Sequence, residues 1–137
     1  MIVVLDTNVI FSAIISPSGT SGKIDDAWRL ARFKVVTSDF QLNELQRVSR
    51  YPKMKSILTP ADVGAVVNDL LRTTVLRNLN LDFETDDPDD TFLLSMSVAG
   101  QADYLVTGDK RAGLLRRKHI GKTNIVSPTM FVFCLSI

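Results

Sequence analysis

The sequence predicts an α/β fold whose mainly parallel sheet lies between helical layers. Three observations carry that expectation. The chain opens on an unalternated apolar run, Ile2-Val3-Val4-Leu5, which suits a strand covered on both faces. Short β-branched runs then alternate with stretches of helical periodicity along the whole length, the pattern of repeated strand–helix units. Finally, no internal repeat, low-complexity segment or linker divides residues 1–137, so one domain is expected.

Taken in order, Val9 to Ile15 fits a short helix after the first strand. Ser16-Pro17-Ser18-Gly19-Thr20-Ser21-Gly22 is a cluster of breakers and reads as a loop. Ile24, Ala27, Trp28, Leu30 and Ala31 recur at helical spacing, and Phe33 to Thr37 is a β-branched strand. Ser38 followed three residues later by Gln41 predicts a capping box and a helix to about Arg50, ended by Tyr51-Pro52. Thr59-Pro60 opens another helix through Val63, Val66, Val67, Leu70 and Leu71. Part of Thr73 to Leu81 is expected to be strand. An acidic segment follows, from Asp82 to Asp90, before a helix from Thr91 to Ala99 stopped by Gly100. Tyr104 to Thr107 is a strand ending in Gly108-Asp109, and Lys110 to Arg117 a basic helix. Asn124 to Val126 is the last strand, and Ser127-Pro128 opens a terminal helix.

The totals exclude several classes of function. With 45% hydrophobic and 23% charged residues among 137, this is the composition of an ordinary globular protein. A net charge of +1 leaves any contact with nucleic acid to local patches. The lone Cys134 excludes an internal disulfide and a thiolate zinc cluster, and the lone His119 excludes chemistry needing paired imidazoles. No apolar run is long enough to span a bilayer, and no basic segment precedes the first strand as in a signal peptide, so a cytoplasmic protein without membrane contact is expected.

Four carboxylates, Asp6, Glu44, Asp90 and Asp109, fall at strand ends or on the helices that follow them. Open α/β sheets bind ligands outside the carboxyl ends of their strands. Each acid also has an ordinary structural use: Asp6 or Asp109 as a helix cap, Asp90 as a first-turn acid facing the helix dipole, Glu44 as a solvated helix residue. Held together they would repel one another unless a cation intervened. Hard oxygen ligands without histidine or thiolate favour Mg²⁺ or Mn²⁺. A metal so held can orient an attacking water and offset charge on a phosphoryl transition state, so phosphodiester hydrolysis is the expected reaction. The sequence contains no phosphate-binding glycine loop with Lys and Ser/Thr, no dinucleotide fingerprint and no nucleophile elbow.

Leu5-Asp6-Thr7-Asn8-Val9, Glu44-Leu45, Asp87-Pro88-Asp89-Asp90 and Tyr104-Leu105-Val106-Thr107-Gly108-Asp109, in that order, resemble the PIN domain. More narrowly, the chain resembles the bacterial and archaeal PIN proteins related to the VapC toxins of toxin–antitoxin pairs. That resemblance implies a three-layer α/β/α sandwich and a Mg²⁺- or Mn²⁺-dependent ribonuclease. By motif position it implies Asp6, Asp90 and Asp109 as metal ligands and Glu44 as a further catalytic acid. Asn8 and Thr107 would hold the carboxylates, with Asp87 and Asp89 in supporting places. The third acid is Asp90 or its neighbour Asp89. The resemblance also implies an antitoxin partner and a homodimer. The apolar run from Met130 to Leu135 could pack inward or against such a partner.

Lys110 and Arg111, just past Asp109, and Arg47, one turn beyond Glu44, could hold the phosphate backbone of RNA. Arg116 to Lys118 fit a solvated basic face equally well. Trp28 and Phe33 read as core, and His119 and Cys134 as structural. Two other readings remain: a catalytically silent PIN-like module that binds nucleic acid or protein, and a phosphatase of the haloacid dehalogenase type. The latter needs a second aspartate two residues after the first, where this chain has Asn8.

Overall fold

A computed structural model describes residues 1–80, 88–108 and 113–136, with the backbone alone at Pro88 and Asp89. In chain order the elements are β1 (Ile2–Leu5), α1 (Thr7–Ile15), α2 (Thr20–Arg29), β2 (Lys34–Ser38), α3 (Asp39–Ser49), α4 (Pro52–Lys55) and α5 (Pro60–Leu71). They continue with β3 (Thr74–Leu76), α6 (Pro88–Ala99), β4 (Tyr104–Val106), α7 (Gly113–Arg117), β5 (His119–Ile120), β6 (Thr123–Val126) and α8 (Pro128–Leu135). The sheet runs β3-β2-β1-β4-β6-β5, parallel except for the β5–β6 pair.

Alternation along each strand divides the core into two layers. Val3, Leu5, Val35 and Val106 face a cluster built with Val9, Ile10, Ile24, Leu45, Leu70 and Phe131, from α1, α2, α3, α5 and α8. Val4, Val36 and Leu105 face the other way, against Phe92, Leu93, Met96 and Leu114 of α6 and α7. Strands buried on both faces explain why the first run shows no polar alternation. The expected α/β/α sandwich with a mainly parallel sheet is the fold observed.

Five local expectations need correcting. Helix α2 begins at Thr20, inside the breaker cluster, because the loop before it folds back tightly. A Cβ on Gly22 would lie 1.9 Å from the Pro17 carbonyl oxygen. At Ser38 only half of the capping box forms. The Ser38 hydroxyl accepts from the Gln41 N–H, but the Gln41 side chain turns inward instead of back to the cap. Gly100 does not supply the left-handed residue that ends α6. Gln101 does, with φ 51°, while the Gln101 and Ala102 N–H groups bond Val98 and Ser97. Gly100 serves close packing, since a Cβ there would sit 2.9 Å from a Val36 methyl. Strand β5 was not anticipated; it is two residues long and joins β6 through a tight turn with Gly121 at φ 53°. Helix α6 also starts earlier than expected, at Pro88, placing Asp90 in its first turn.

Among the described residues no helix is long and apolar enough to cross a membrane. Phe131 and Leu135 of α8 are buried, whereas Met130 and Phe133 are exposed.

Candidate functional site at the carboxyl edge of the sheet

The strand order reverses at β1. β2 and β3 lie on one side of it, and the chain then crosses to β4 on the other. In open parallel sheets that reversal leaves a crevice at the carboxyl ends of the two central strands, here β1 and β4. Asp6 is the first residue past β1, and Thr107 the first past β4. The Asp6 N–H bonds the Val106 carbonyl at 2.9 Å, so the two strand ends stay in register to their last residue.

Asp6 is both a cap and the centre of this edge. One carboxylate oxygen accepts from the Asn8 main-chain N–H at 3.3 Å, capping α1, and the other accepts from the Thr107 hydroxyl at 2.7 Å. Thr107 is fully buried and Asp6 half-buried. Two donors, one on each oxygen, fix the orientation of this carboxylate. Asn8 takes part through its backbone; its side chain is exposed.

Glu44 comes to the same edge through α3. That helix starts directly at the end of β2, and its first turn is tied to β1 by Gln41, only 1% exposed. The Gln41 amide donates to the Leu5 carbonyl at 2.7 Å and to the Thr7 hydroxyl at 3.5 Å, while its oxygen accepts from the Thr37 hydroxyl at 2.7 Å. Glu44 follows one turn later, about 4.5 Å along the axis. It is half-buried, with one carboxylate oxygen inaccessible to solvent.

Asp90 reaches the edge by topology. Because β4 runs parallel to its neighbours, α6 must return the chain to the start of β4, so its first turn lies at the carboxyl end. Phe92, two residues on, packs its ring against Phe40 of α3 at 5.0 Å between centroids. The first turns of α3 and α6 are therefore adjacent, and Asp90 is half-buried there.

Asp87, Asp109, Lys110 and Arg111, with the acidic stretch before α6, lie outside the described residues, as does the side chain of Asp89. Arg47 is exposed; its guanidinium bonds the Tyr51 hydroxyl and lies 5.8 Å from that ring's centre. Arg116, Arg117 and Lys118 are exposed, His119 is exposed on β5, Trp28 is half-buried and Phe33 is core. The residue that sequence reasoning missed is Gln41, noticed only as half of a cap. A buried amide has no sequence signal separate from an ordinary helix glutamine.

Ligand chemistry follows from the donor set. Among the described residues no three carboxylates, imidazoles or thiolates gather closely enough to cage a metal. Mg²⁺ does not require such a cage: it is commonly held by one or two carboxylates, with waters and substrate phosphate completing the shell. Asp6, Glu44 and Asp90 offer oxygen donors only, the kind that suits a hard divalent ion. The opposite, amino edge of the sheet carries a separate acid, Asp103, beside Ile2. There the Ile2 N–H donates to Asp103 at 2.7 Å and, with Lys122 nearby, holds that carboxyl below its ordinary range.

The model of the PIN domain family matches residues 2–111. The uncharacterized protein MJ1680 of Methanocaldococcus jannaschii is 31% identical over 127 residues, covering 90% of this chain and 81% of that protein. Among solved structures, a chain of VapBC2 from Rickettsia felis, crystallised bound to a DNA fragment from its promoter, superposes with a TM-score of 0.60. It is 19% identical, and the match covers 93% of this chain and 98% of that one.

Proposed function

The chain belongs to the PIN domain family, and from that premise we propose that it is a Mg²⁺- or Mn²⁺-dependent ribonuclease, the toxin of a toxin–antitoxin pair. The observation that carries the proposal is the Thr107–Asp6–Asn8 clamp in the crevice between β1 and β4, with Glu44 in the second turn of α3 and Asp90 in the first turn of α6 nearby. Asp6, Asp90 and Asp109 would hold the ion, and Glu44 would complete the acidic wall. When bound, the ion supplies a polarised water and neutralises charge developing on the scissile phosphate. Thr107 and the Asn8 N–H keep the Asp6 carboxylate aimed, so little reorganisation is left for the reaction itself. Lys110, Arg111 and Arg47 would hold the RNA backbone near the acids by charge. The VapBC2 likeness, together with the resemblance to VapC toxins, supports an antitoxin protein as partner; the homodimer rests on that resemblance alone.

The test is Asp6→Asn. Wild type should cut single-stranded RNA with Mn²⁺ and not with EDTA, and the variant should lose about 100-fold or more of that rate, since even outer groups around a metal are worth 10–100-fold. Its melting temperature should stay within a few degrees, because the amide oxygen can still accept from Thr107. Full activity in Asp6→Asn, or RNA binding without any cleavage by wild type, would overturn the nuclease reading.

A further inference from the structure

Between α3, α4 and the first half of α5 lies a groove of about 610 Å³, apart from the acidic crevice. Its floor is apolar, with Leu58, Val63 and Val67, and its charged lining residues are Arg50 and Lys55. No carboxylate lines it among the described residues. The volume falls within the range of small-ligand pockets, about 300–1,000 Å³.

Two observations bear on its occupant. The first is charge. Between Glu44 and Asp62 the sequence holds Arg47, Arg50, Lys53 and Lys55 and no acid. All of them are exposed, and among the described residues none forms an ion pair. In a chain whose net charge is only +1, this is a local positive patch of the kind a polyanion needs. The second is Gly64, on the groove's wall inside α5. A glycine within a helix costs stability against alanine. Neither strain nor crowding calls for it here: its φ is not positive, and a Cβ would meet nothing within 4 Å. What the missing side chain does is keep the groove open.

Helix α3 joins the groove to the acids. Gln46 and Arg50 line the groove on the flank turned away from Glu44, and Arg47 stands on the exposed crest between Arg50 and Glu44. The helix is about 10 Å across, and Arg50 lies about 9 Å along its axis from Glu44, a span that a few nucleotides of single strand cover. From this geometry we infer that the groove is an RNA subsite remote from the acids. One base rests on the apolar floor, and Arg50 and Lys55 hold the phosphates on either side of it. The inference deepens the nuclease reading and rests on it for the identity of the polyanion. Continuity across Arg47 with the acidic edge favours one RNA strand, able to occupy both, over an acidic protein segment confined to the groove.

The test separates the phosphate contacts from the space for the base. Binding of a fluorescent 12-nucleotide RNA is measured by anisotropy in EDTA, where nothing is cut, over a series of salt concentrations. Cleavage of the same RNA is measured with Mn²⁺. The double variant Arg50→Gln/Lys55→Gln removes two phosphate contacts at exposed positions. The slope of log affinity against log salt should become shallower by about 1.4, and binding at about 0.1 M salt should weaken about 25-fold. Gly64→Leu fills the groove with a better helix former. It should melt no lower than wild type and keep the salt slope, yet bind about tenfold more weakly, as for one misfitting group in an apolar pocket. Lys34→Gln/Arg72→Gln, the same charge change at exposed sites outside the groove, should alter binding less than about threefold. If the groove pair flattens the salt slope no more than this control pair, or Gly64→Leu binds as wild type does, the subsite is refuted, whatever the cleavage shows. An acidic protein segment then becomes the groove's occupant. If wild type never cuts RNA but the groove pair and Gly64→Leu both lose binding as expected, the subsite stands and the nuclease reading falls.

Discussion

Replacing Gln41 by Met tests whether the buried amide assembles the site's edge. Methionine fills nearly the same volume, so the change removes hydrogen bonds without opening a cavity. Two buried groups lose their partners: the Leu5 carbonyl, 2.7 Å from the amide nitrogen, and the Thr37 hydroxyl, 2.7 Å from the amide oxygen. The Thr7 contact at 3.5 Å is too long to add much. At about 1–3 kcal/mol for each stranded group, the expected loss is about 2–6 kcal/mol, a large share of the stability of a domain this size. Urea unfolding followed through Trp28, the sole tryptophan, measures it directly.

Gln41→Glu supplies the control. A carboxylate keeps an acceptor for Thr37 but sets a negative oxygen against the Leu5 carbonyl. Burial and that carbonyl both raise the new acid's folded pKa above its unfolded one. The folded state then binds more protons, so stability must rise as pH falls toward the unfolded value near 4.3, where the protonated acid can donate to Leu5. Gln41→Met, with nothing to titrate, should show no such recovery. Because the amide also ties Glu44's helix to the strand entering Asp6, both variants should slow cleavage by about 10–100-fold. A Gln41→Met protein within about 0.5 kcal/mol of wild type, the range of neutral surface changes, would refute the reasoning.

Thr107→Val removes the hydroxyl that donates to Asp6 at 2.7 Å while preserving shape. Mn²⁺ affinity measured by calorimetry should fall about tenfold, with a stability loss of only about 1 kcal/mol because Asp6 is half-exposed; unchanged affinity would show that the carboxylate needs no such support. Asp103→Asn tests the amino edge. The wild-type carboxyl is held low by the Ile2 N–H, so its contribution is present above the unfolded pKa near 3.9 and is lost as pH falls through the folded one. The side chain is 40% exposed, so screening limits the difference at pH 7 to less than about 1 kcal/mol, and the two unfolding curves should converge below pH 4.

What could be read from the chain was whatever periodicity or local chemistry announces. The β-branched runs of β1 and β2, the Thr59-Pro60 cap and the helix after Ser38 depend on neighbours in sequence, and they form as expected. What could not be read depends on contacts across the fold. Gly100 looks like a helix stop, yet Val36, sixty-odd residues away, dictates why it must be glycine. The pull on Gln41 comes from Leu5 and Thr37 on two strands, so the local rule that sent its side chain back to Ser38 failed. β5 is too short to show a period of two, and only pairing with β6 makes it a strand.

Asp6 shows why capping and function were never true alternatives. As the cap of α1, its carboxylate is held by the Asn8 N–H, and the strand crossing brings Thr107 to its other oxygen. A side chain restrained twice by the fold has already lost the rotamer freedom that a ligand would otherwise have to remove. The same reversal of strand order that opens the crevice supplies the second restraint, because only there does the end of a late strand lie beside the end of the first. An aspartate in that position is therefore preorganised by the same bonds that stabilise the fold. Removing either restraint should cost more in metal affinity than in stability, which is the asymmetry the Thr107→Val measurement reads.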